Sequence, residues 1–124
     1  ALAEGTTTVE NLLDSADIQY MLAALKDLKI DVTTDLEAKT CVVVGKGGPI
    51  DVDSVTLDLG NAGTAMRPLT GVLCAGKGNF VLDGVARMRE RPIIDLIDAL
   101  QQLGVDITCS DTGCPPVNIK ANGI

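Results

Sequence analysis

The chain has 124 residues, of which 46% are hydrophobic and 22% charged, and this composition is typical of one compact domain. It contains no His, no Trp and only one Tyr and one Phe, which excludes His-based triads, His-ligated zinc and aromatic platforms for stacked bases. The net charge of -7 argues against nucleic acid or an anionic membrane surface as a partner, and no uncharged stretch approaches the roughly 20 apolar residues of a membrane span.

The first predicted helix covers Asp14–Ile30. Apolar residues recur there at three- and four-residue spacing, and Asp14 or Ser15 can cap its N-terminus. Short β-branched runs before and after the helices predict six strands. These are Thr6–Asn11, Thr40–Val44, Ser54–Leu59, Asn79–Asp83, Val105–Cys109 and Val117–Lys120. Strands alternate with helices, which indicates an α/β fold with some parallel pairing.

Two further helices are predicted from apolar spacing and from proline and glycine positions. The second follows Thr64, and Pro68 places its start between Thr64 and Arg67, because proline is tolerated in the first turn of a helix. The third has Pro92 in its first turn and stops at Gly104.

The chain also repeats itself. Ala24–Thr33 and Ala99–Thr108 share five of ten residues, lie 75 residues apart, and each leads from a helix through a strand to a second strand. This predicts a β-α-β-α-β-β unit, with a truncated first copy over about 1–53 and a second copy over 54–124. By the same comparison Ala1–Gly5 is the end of a preceding helix. A chance likeness between two helix-to-strand junctions is the alternative.

A candidate anion site lies where a predicted strand runs into the second helix, in the stretch LDLGNAGTAMRP. Free N–H groups in the first turn of a helix carry the positive end of its dipole. Gly63 permits close approach of a ligand, Asn61 and Thr64 supply donors, and Arg67 supplies a charge. The stretch matches neither GxxxxGK[ST] nor GxGxxG, so an ordinary tight turn capped by Thr64 is an equal alternative.

All four arginines fall within residues 61–94, which carry five basic and two acidic residues in an otherwise acidic chain. They are Arg67, Arg87, Arg89 and Arg91. An extended backbone over Val85–Pro92 would place the last three on one face. Because guanidinium groups match carboxylate and phosphate geometry, the segment predicts a site for a small anion. The alternative is a solvated loop whose arginines pair with Glu90 or Asp95.

No residue of this chain is assigned to acid/base catalysis or to a metal. Asp17, Asp58 and Asp83 lie near strand ends or helix starts, but no two carboxylates have a telling spacing. Cys109 and Cys114 match no metal or redox pattern, and free thiols are favoured over a disulfide between them.

Three stretches resemble the 5-enolpyruvylshikimate-3-phosphate synthase family: LGNAGTAMRPLT (Leu59–Thr70), LDGVARMRERPIIDLIDALQQLG (Leu82–Gly104) and the upstream segment Glu4–Leu22. The likeness spans essentially the whole chain, and the residues of these stretches resemble those of plant or green-algal members most. It implies an inside-out α/β barrel fold of repeated β-α-β-α-β-β units, of which this chain holds an incomplete set from the N-terminal domain.

The resemblance implies part of an enzyme that transfers the enolpyruvyl group of phosphoenolpyruvate to the 5-hydroxyl of shikimate 3-phosphate, in aromatic amino-acid biosynthesis. Glyphosate is the implied inhibitor, no metal or organic cofactor is expected, and the implied location is the plastid stroma for a plant or algal source and the cytoplasm otherwise. The residues implied on the phosphoenolpyruvate side are Asp17, Asn61, Gly63, Thr64, Arg67 and Arg91, with Pro68 shaping the turn.

Several parts of the family pattern are missing from this sequence: a lysine-bearing PGSKS-type motif, the third repeat, and the second domain with its acid/base residues. The remainder of the synthase is therefore an expected partner, and the isolated chain is expected to be inactive. A free-standing, non-catalytic anion-binding α/β module is the alternative from another class. The related enolpyruvyl transferase that acts on a nucleotide sugar shares the fold but not this pair of signatures.

Overall fold

The computed structural model describes residues 1–123, which form three α-helices, one short 3-10 helix and seven strands. In chain order the elements are β1 (Glu4–Val9), α1 (Ala16–Asp27), β2 (Asp31–Asp35), β3 (Thr40–Lys46), β4 (Asp51–Asp58), α2 (Gly63–Cys74), β5 (Lys77–Asp83), the 3-10 turn (Met88–Glu90), α3 (Ile94–Gln102), β6 (Asp106–Thr108) and β7 (Val117–Asn122). None of the helices described is long and apolar enough to cross a membrane.

The strands form two sheets. The first has the order β1-β3-β2 and is antiparallel throughout, whereas the second has the order β4-β5-β7-β6 with β4 and β5 parallel. The order β1-β3-β2 corresponds to β5-β7-β6, and α1 and α3 precede equivalent strands. The α/β fold of incomplete β-α-β-α-β-β units is thereby confirmed. The division at residues 53 and 54 stays a prediction, and β4 already begins at Asp51.

The predicted helices are present, with shifted starts. Ser15 caps α1, because its side-chain oxygen accepts a hydrogen bond of 3.3 Å from the N–H of Ile18. The second helix begins at Gly63, so the prediction that Pro68 lies in its first turn is wrong. Thr64 and Pro68 are both exposed, and water can therefore solvate the Thr64 carbonyl that Pro68 cannot serve.

Pro92 likewise precedes the third helix instead of lying in its first turn, since α3 begins at Ile94. Gly104, just beyond the end of α3, has a φ of 87° and ends the helix as predicted.

The prediction that Ala1–Gly5 ends a helix is wrong. The backbone carbonyls of Ala1 and Ala3 accept hydrogen bonds of 2.9 and 3.3 Å from the N–H groups of Lys46 and Gly47, and β1 already begins at Glu4. Pairing along β3 therefore decides the conformation of these residues, because it satisfies backbone groups that a lone helical stump would leave free.

The core lies where the helices cover the two sheets. α2 packs against β5 and β7, and α1 packs against α2, β2 and β4. Thr70 is a buried polar residue within α2, and its hydroxyl donates a hydrogen bond of 2.7 Å to the Met66 carbonyl. The four cysteines are free thiols, as was predicted for Cys109 and Cys114, and burial raises the pKa of Cys74 to about 11. This packing brings the start of α2 beside the starts of α1 and α3.

Candidate functional site

A cavity of about 530 Å³ lies where the starts of α1 and α2 meet the segment that leads into α3. Six of the residues predicted for the site border it: Asp17, Asn61, Gly63, Thr64, Arg67 and Arg91. Pro68, which was predicted to shape the turn, lies one helical turn further along the exposed side of α2. The chain thus brings residues from three separate segments to one concave surface, which is the usual setting of a small-ligand site.

Arg91 holds its guanidinium group over the start of α2. Its Nη1 donates hydrogen bonds of 2.9 Å to the backbone carbonyl of Asn61 and 3.2 Å to the Asn61 Oδ1. A Cβ atom on Gly63 would lie 2.9 Å from the Nη1 and 3.0 Å from the Nη2 of Arg91. Because that spacing is tighter than van der Waals contact allows, a side chain at Gly63 would displace this cation.

Backbone N–H donors at the start of α2 lie beside the guanidinium group of Arg91. The N-cap of α2 is Ala62, which offers no side-chain oxygen, and no hydrogen bond within residues 1–123 engages the N–H of Thr64. A helix start with a free N–H and an adjacent guanidinium combines a fixed dipole with a full positive charge. Chemically, this arrangement suits a carboxylate or a phosphate.

Thr64 does not cap the helix, so the alternative of a tight turn capped by Thr64 is wrong. Its hydroxyl donates a hydrogen bond of 2.8 Å to the Oδ2 of Asp17, in the first turn of α1. The reason is positional: Thr64 is already inside α2, and its side chain faces the neighbouring helix. The bond ties the starts of two helices together at the edge of the cavity.

The arginine segment is not extended, and the prediction that three arginines share one face is wrong. Met88 is 1% exposed, and its burial closes the chain into the 3-10 turn Met88–Glu90. As a result Arg87 forms an ion pair of 2.9 Å with Glu90, and Arg89 forms one of 2.6 Å with Asp83. These pairings follow the alternative of a loop whose arginines contact nearby carboxylates.

Arg67 is also paired. Its Nη2 lies 3.0 Å from the Oδ2 of Asp95, and its Nη1 donates a long hydrogen bond of 3.4 Å to the Pro92 carbonyl. Among the arginines of residues 1–123, Arg91 is the one without a carboxylate within 4.0 Å. The uncompensated positive charge of the cavity therefore belongs to Arg91.

The ion pairs shift the acidity of their carboxyl groups. The hydrogen bond from Arg89 holds the pKa of Asp83 below its usual range, and the hydrogen bond from Arg67 does the same for the pKa of Asp95. The ion pairs therefore favour the ionised form of both carboxyl groups. No group of three or more His, Cys, Asp or Glu side chains within residues 1–123 is arranged to hold a metal ion.

Sequence reasoning missed the partner of Arg89 and the role of Met88. Asp83 was considered only as a strand-end carboxylate, although its position six residues before Arg89 is within reach of a tight loop. Met88 stands between two arginines, and an isolated apolar residue in a basic stretch was the available signal for a buried turn.

The sequence of the chain is similar to that of known proteins of one family. The family model described as EPSP synthase (3-phosphoshikimate 1-carboxyvinyltransferase) matches residues 1–124. The chain is 57% identical over 124 residues to the 3-phosphoshikimate 1-carboxyvinyltransferase of Marinomonas sp. (strain MWYL1), and 58% identical over 131 residues to the chloroplastic protein of that name from Arabidopsis thaliana. Each alignment covers 99% of this chain, but 29% and 25% of the respective relative.

The fold has a solved counterpart. The EPSP synthase from Acinetobacter baumannii matches this chain with a TM-score of 0.87 and 31% sequence identity, over 98% of this chain and 28% of that one. Bacterial and plant relatives are about equally similar to the chain, so the prediction that it resembles plant or green-algal members most is not supported.

Proposed function

Because the chain belongs to the EPSP synthase (3-phosphoshikimate 1-carboxyvinyltransferase) family, we propose that it is one part of an enzyme that performs this transfer. In the proposed reaction the enolpyruvyl group of phosphoenolpyruvate moves to the 5-hydroxyl of shikimate 3-phosphate, and inorganic phosphate leaves. The chain spans 29% and 25% of the length of the two relatives compared above, and the proposal concerns the whole protein of which such a chain is a part.

The observation that carries the proposal is the guanidinium group of Arg91 over the start of α2, beside Gly63. Both proposed substrates are anions: one carries a phosphate and a carboxylate on three carbons, and the other carries a phosphate and a carboxylate on a ring. A planar cation and a helix N-terminus that face the same space bind such groups through charge-assisted hydrogen bonds. We assign the phosphoenolpyruvate side of the site to this surface.

The other predicted residues have supporting roles in the proposal. Asn61 accepts two hydrogen bonds from Arg91 and so orients it, and Gly63 leaves the space that the guanidinium occupies. Thr64 and Asp17 hold α1 against α2, while Arg67 lies at the cavity rim in its pair with Asp95. Pro68 shapes the second turn of α2. The proposal places the acid/base groups in the remainder of the synthase, which we propose as the partner of this chain.

Glyphosate is the proposed inhibitor, because it is a small carboxylate and phosphonate that suits the same donors. Gly63, Thr64 and Pro68 all match the family's signature, which favours a sensitive enzyme. An unchanged Michaelis constant for phosphoenolpyruvate in millimolar glyphosate would contradict this part. For location we propose the plastid stroma if the source is a plant or alga, where relatives are named chloroplastic, and the cytoplasm otherwise.

The test is phosphate release by the full-length protein that contains this chain, with both substrates present. Wild type is expected to release phosphate only when shikimate 3-phosphate is added. Arg91→Lys keeps the charge but loses the planar fork, so we expect the KM for phosphoenolpyruvate to rise about tenfold or more, which corresponds to about 1.4 kcal/mol. Phosphoenolpyruvate binding without turnover in the full-length protein would instead favour a non-catalytic anion-binding module.

A further inference from the structure

The three arginine ion pairs differ in the burial of their carboxylates. The carboxylates paired with Arg67 and Arg87 are 75% and 64% exposed, whereas Asp83, paired with Arg89, is only 24% exposed. Arg89 also differs from the other arginines in that it does not border the cavity. Its position requires an explanation other than direct contact with an anion in that cavity.

The pair has the geometry of a two-pronged clamp. The Nε of Arg89 donates to the Oδ1 of Asp83 at 3.0 Å, and its Nη2 donates to the Oδ2 at 2.6 Å. Bidentate guanidinium–carboxylate pairs are the most directional of ion pairs, because two parallel hydrogen bonds fix the relative orientation of both planes. Asp83 is itself the last residue of β5, where it lies in register with Asp58 of the parallel strand β4. One end of the clamp is thus part of a sheet.

The other end of the clamp is the turn that precedes Arg91. Met88 anchors this turn from the inside, at 1% exposure, and Arg89 anchors it from the outside. The N–H of Arg91 donates to the Met88 carbonyl at 3.1 Å, after which the backbone becomes extended, with φ of -91° and ψ of 119°. The turn therefore sets the direction in which the Arg91 side chain leaves the backbone. That direction varies if the turn is not held in place.

We propose that the Asp83–Arg89 pair positions Arg91 for anion binding, and that Arg89 is a positioning residue and not a ligand. The proposal rests on the proposed function of Arg91 as a ligand of phosphoenolpyruvate. The clamp joins two residues that are six positions apart and so closes the loop between them, and its loss leaves Met88 as the main anchor of the turn. A looser turn lets Arg91 leave Asn61 and Gly63, and the anion then has to order the loop when it binds.

A direct ligand and a clamp make opposite predictions for Asp83→Asn. If Arg89 were an anion ligand, removal of its carboxylate partner would free the guanidinium and remove a nearby negative charge, and binding would tighten. If Arg89 is a clamp, the same substitution removes one strong acceptor, loosens the turn, and binding weakens. The direction of the change in anion affinity therefore distinguishes the two roles. The loss of a negative charge would by itself tighten binding, which is the result expected if Arg89 were a ligand.

The experiment measures the KM for phosphoenolpyruvate and kcat in the full-length protein that contains this chain. In Arg89→Ala and in Asp83→Asn we expect the KM to rise about tenfold, with kcat within about twofold of wild type. Arg89→Lys retains the charge but has a single donor nitrogen, so its KM for phosphoenolpyruvate should lie between those of wild type and Arg89→Ala. The double variant should be no worse than Arg89→Ala, because both changes remove the same contact. Lys26→Ala is the charge-matched control, in the last turn of α1 and away from the cavity, and should change neither constant.

A lowered or unchanged KM in Asp83→Asn would overturn the proposal, as would additive effects in the double variant. A second measurement serves if a variant folds poorly or wild type shows no turnover: titration with inorganic phosphate, followed by the amide NMR signals of residues 61–64. Weaker phosphate binding in Asp83→Asn than in wild type, without enolpyruvyl transfer by wild type, would refute the proposed function and keep the clamp. Equal phosphate binding in both, with normal transfer by wild type, would refute the clamp alone.

Discussion

The two sheets contain the same three-strand arrangement but bury it differently. β1-β3-β2 and β5-β7-β6 agree in order and in antiparallel pairing. Every residue of β1 is exposed, whereas its counterpart β5 buries Phe80 and Leu82 at 1% and 0% exposure. The pairing registers match Gly5 with Gly78 and Val9 with Leu82, so the comparison can be made position by position.

The difference lies in the neighbours of each strand. β5 pairs with β4 on the side away from β7 and is covered by α2. Among residues 1–123, no strand or helix has the equivalent place beside β1. Val9 of β1 is 42% exposed as a consequence. The two copies therefore share their strand pairing, while burial depends on which elements lie alongside.

The largest difference in stability between equivalent substitutions in the two strands is expected at the matched glycines. Gly78 has a φ of 132°, and a Cβ atom there would overlap the Val52 carbonyl of β4. Gly78→Ala is therefore expected to destabilise the chain by more than about 4 kcal/mol, through backbone strain and displacement of β4. Gly5 has a φ of 93° with nothing within 4 Å, so Gly5→Ala should cost only about 1–2 kcal/mol of strain.

Urea unfolding followed by circular dichroism measures both glycine variants. Equal losses of unfolding free energy would show that β1 is as closely flanked as β5, contrary to the comparison.

A smaller difference is expected between the matched apolar residues near the strand ends. Leu82 is fully buried, so Leu82→Ala should cost about 3 kcal/mol in lost burial and cavity formation. Val9 is 42% exposed, and Val9→Ala should stay within about 0.5 kcal/mol of wild type. The same unfolding experiment compares the two, and a cost above about 2 kcal/mol for Val9→Ala would mean that the exposed face of β1 is covered in solution.

The smallest effect is a pH dependence at the residue that follows each of these positions. Asp83 pairs with Arg89, which lowers the carboxyl pKa in the folded state, whereas the matching Glu10 forms no ion pair within residues 1–123. A lowered folded-state pKa means that the stabilisation is present above the unfolded pKa of about 3.9 and is lost as pH falls through the folded value.

We therefore expect wild type to lose more unfolding free energy than Asp83→Asn between pH 5 and pH 2, with the two curves converging at the acid end. Glu10→Gln makes the same charge change at the matching position of the first sheet and is the control. Parallel curves for wild type and Asp83→Asn would show that the ion pair contributes nothing to stability.

Much of the secondary structure is predictable from local patterns. The stripe of α1, its cap at Ser15 and the stop at Gly104 follow from side-chain spacing and backbone preference. The start of α2 is not predictable in the same way, because a proline in the second turn leaves one carbonyl without its helical donor, and only an exposed carbonyl can bond water instead. Exposure of that carbonyl depends on which face of α2 packs on the sheet.

The candidate site divides along the same line. Local patterns alone predict that glycine, donors and arginines lie beside two helix starts, because the NAGTAMRP and RMRERP stretches each lie next to one. Which charge is free depends on the packing of the folded chain. Met88 enters the core and the turn closes, so that Arg67, Arg87 and Arg89 pair with carboxylates while Arg91 does not. Ion pairing depends on distances of a few ångströms between side chains, and core packing sets those distances.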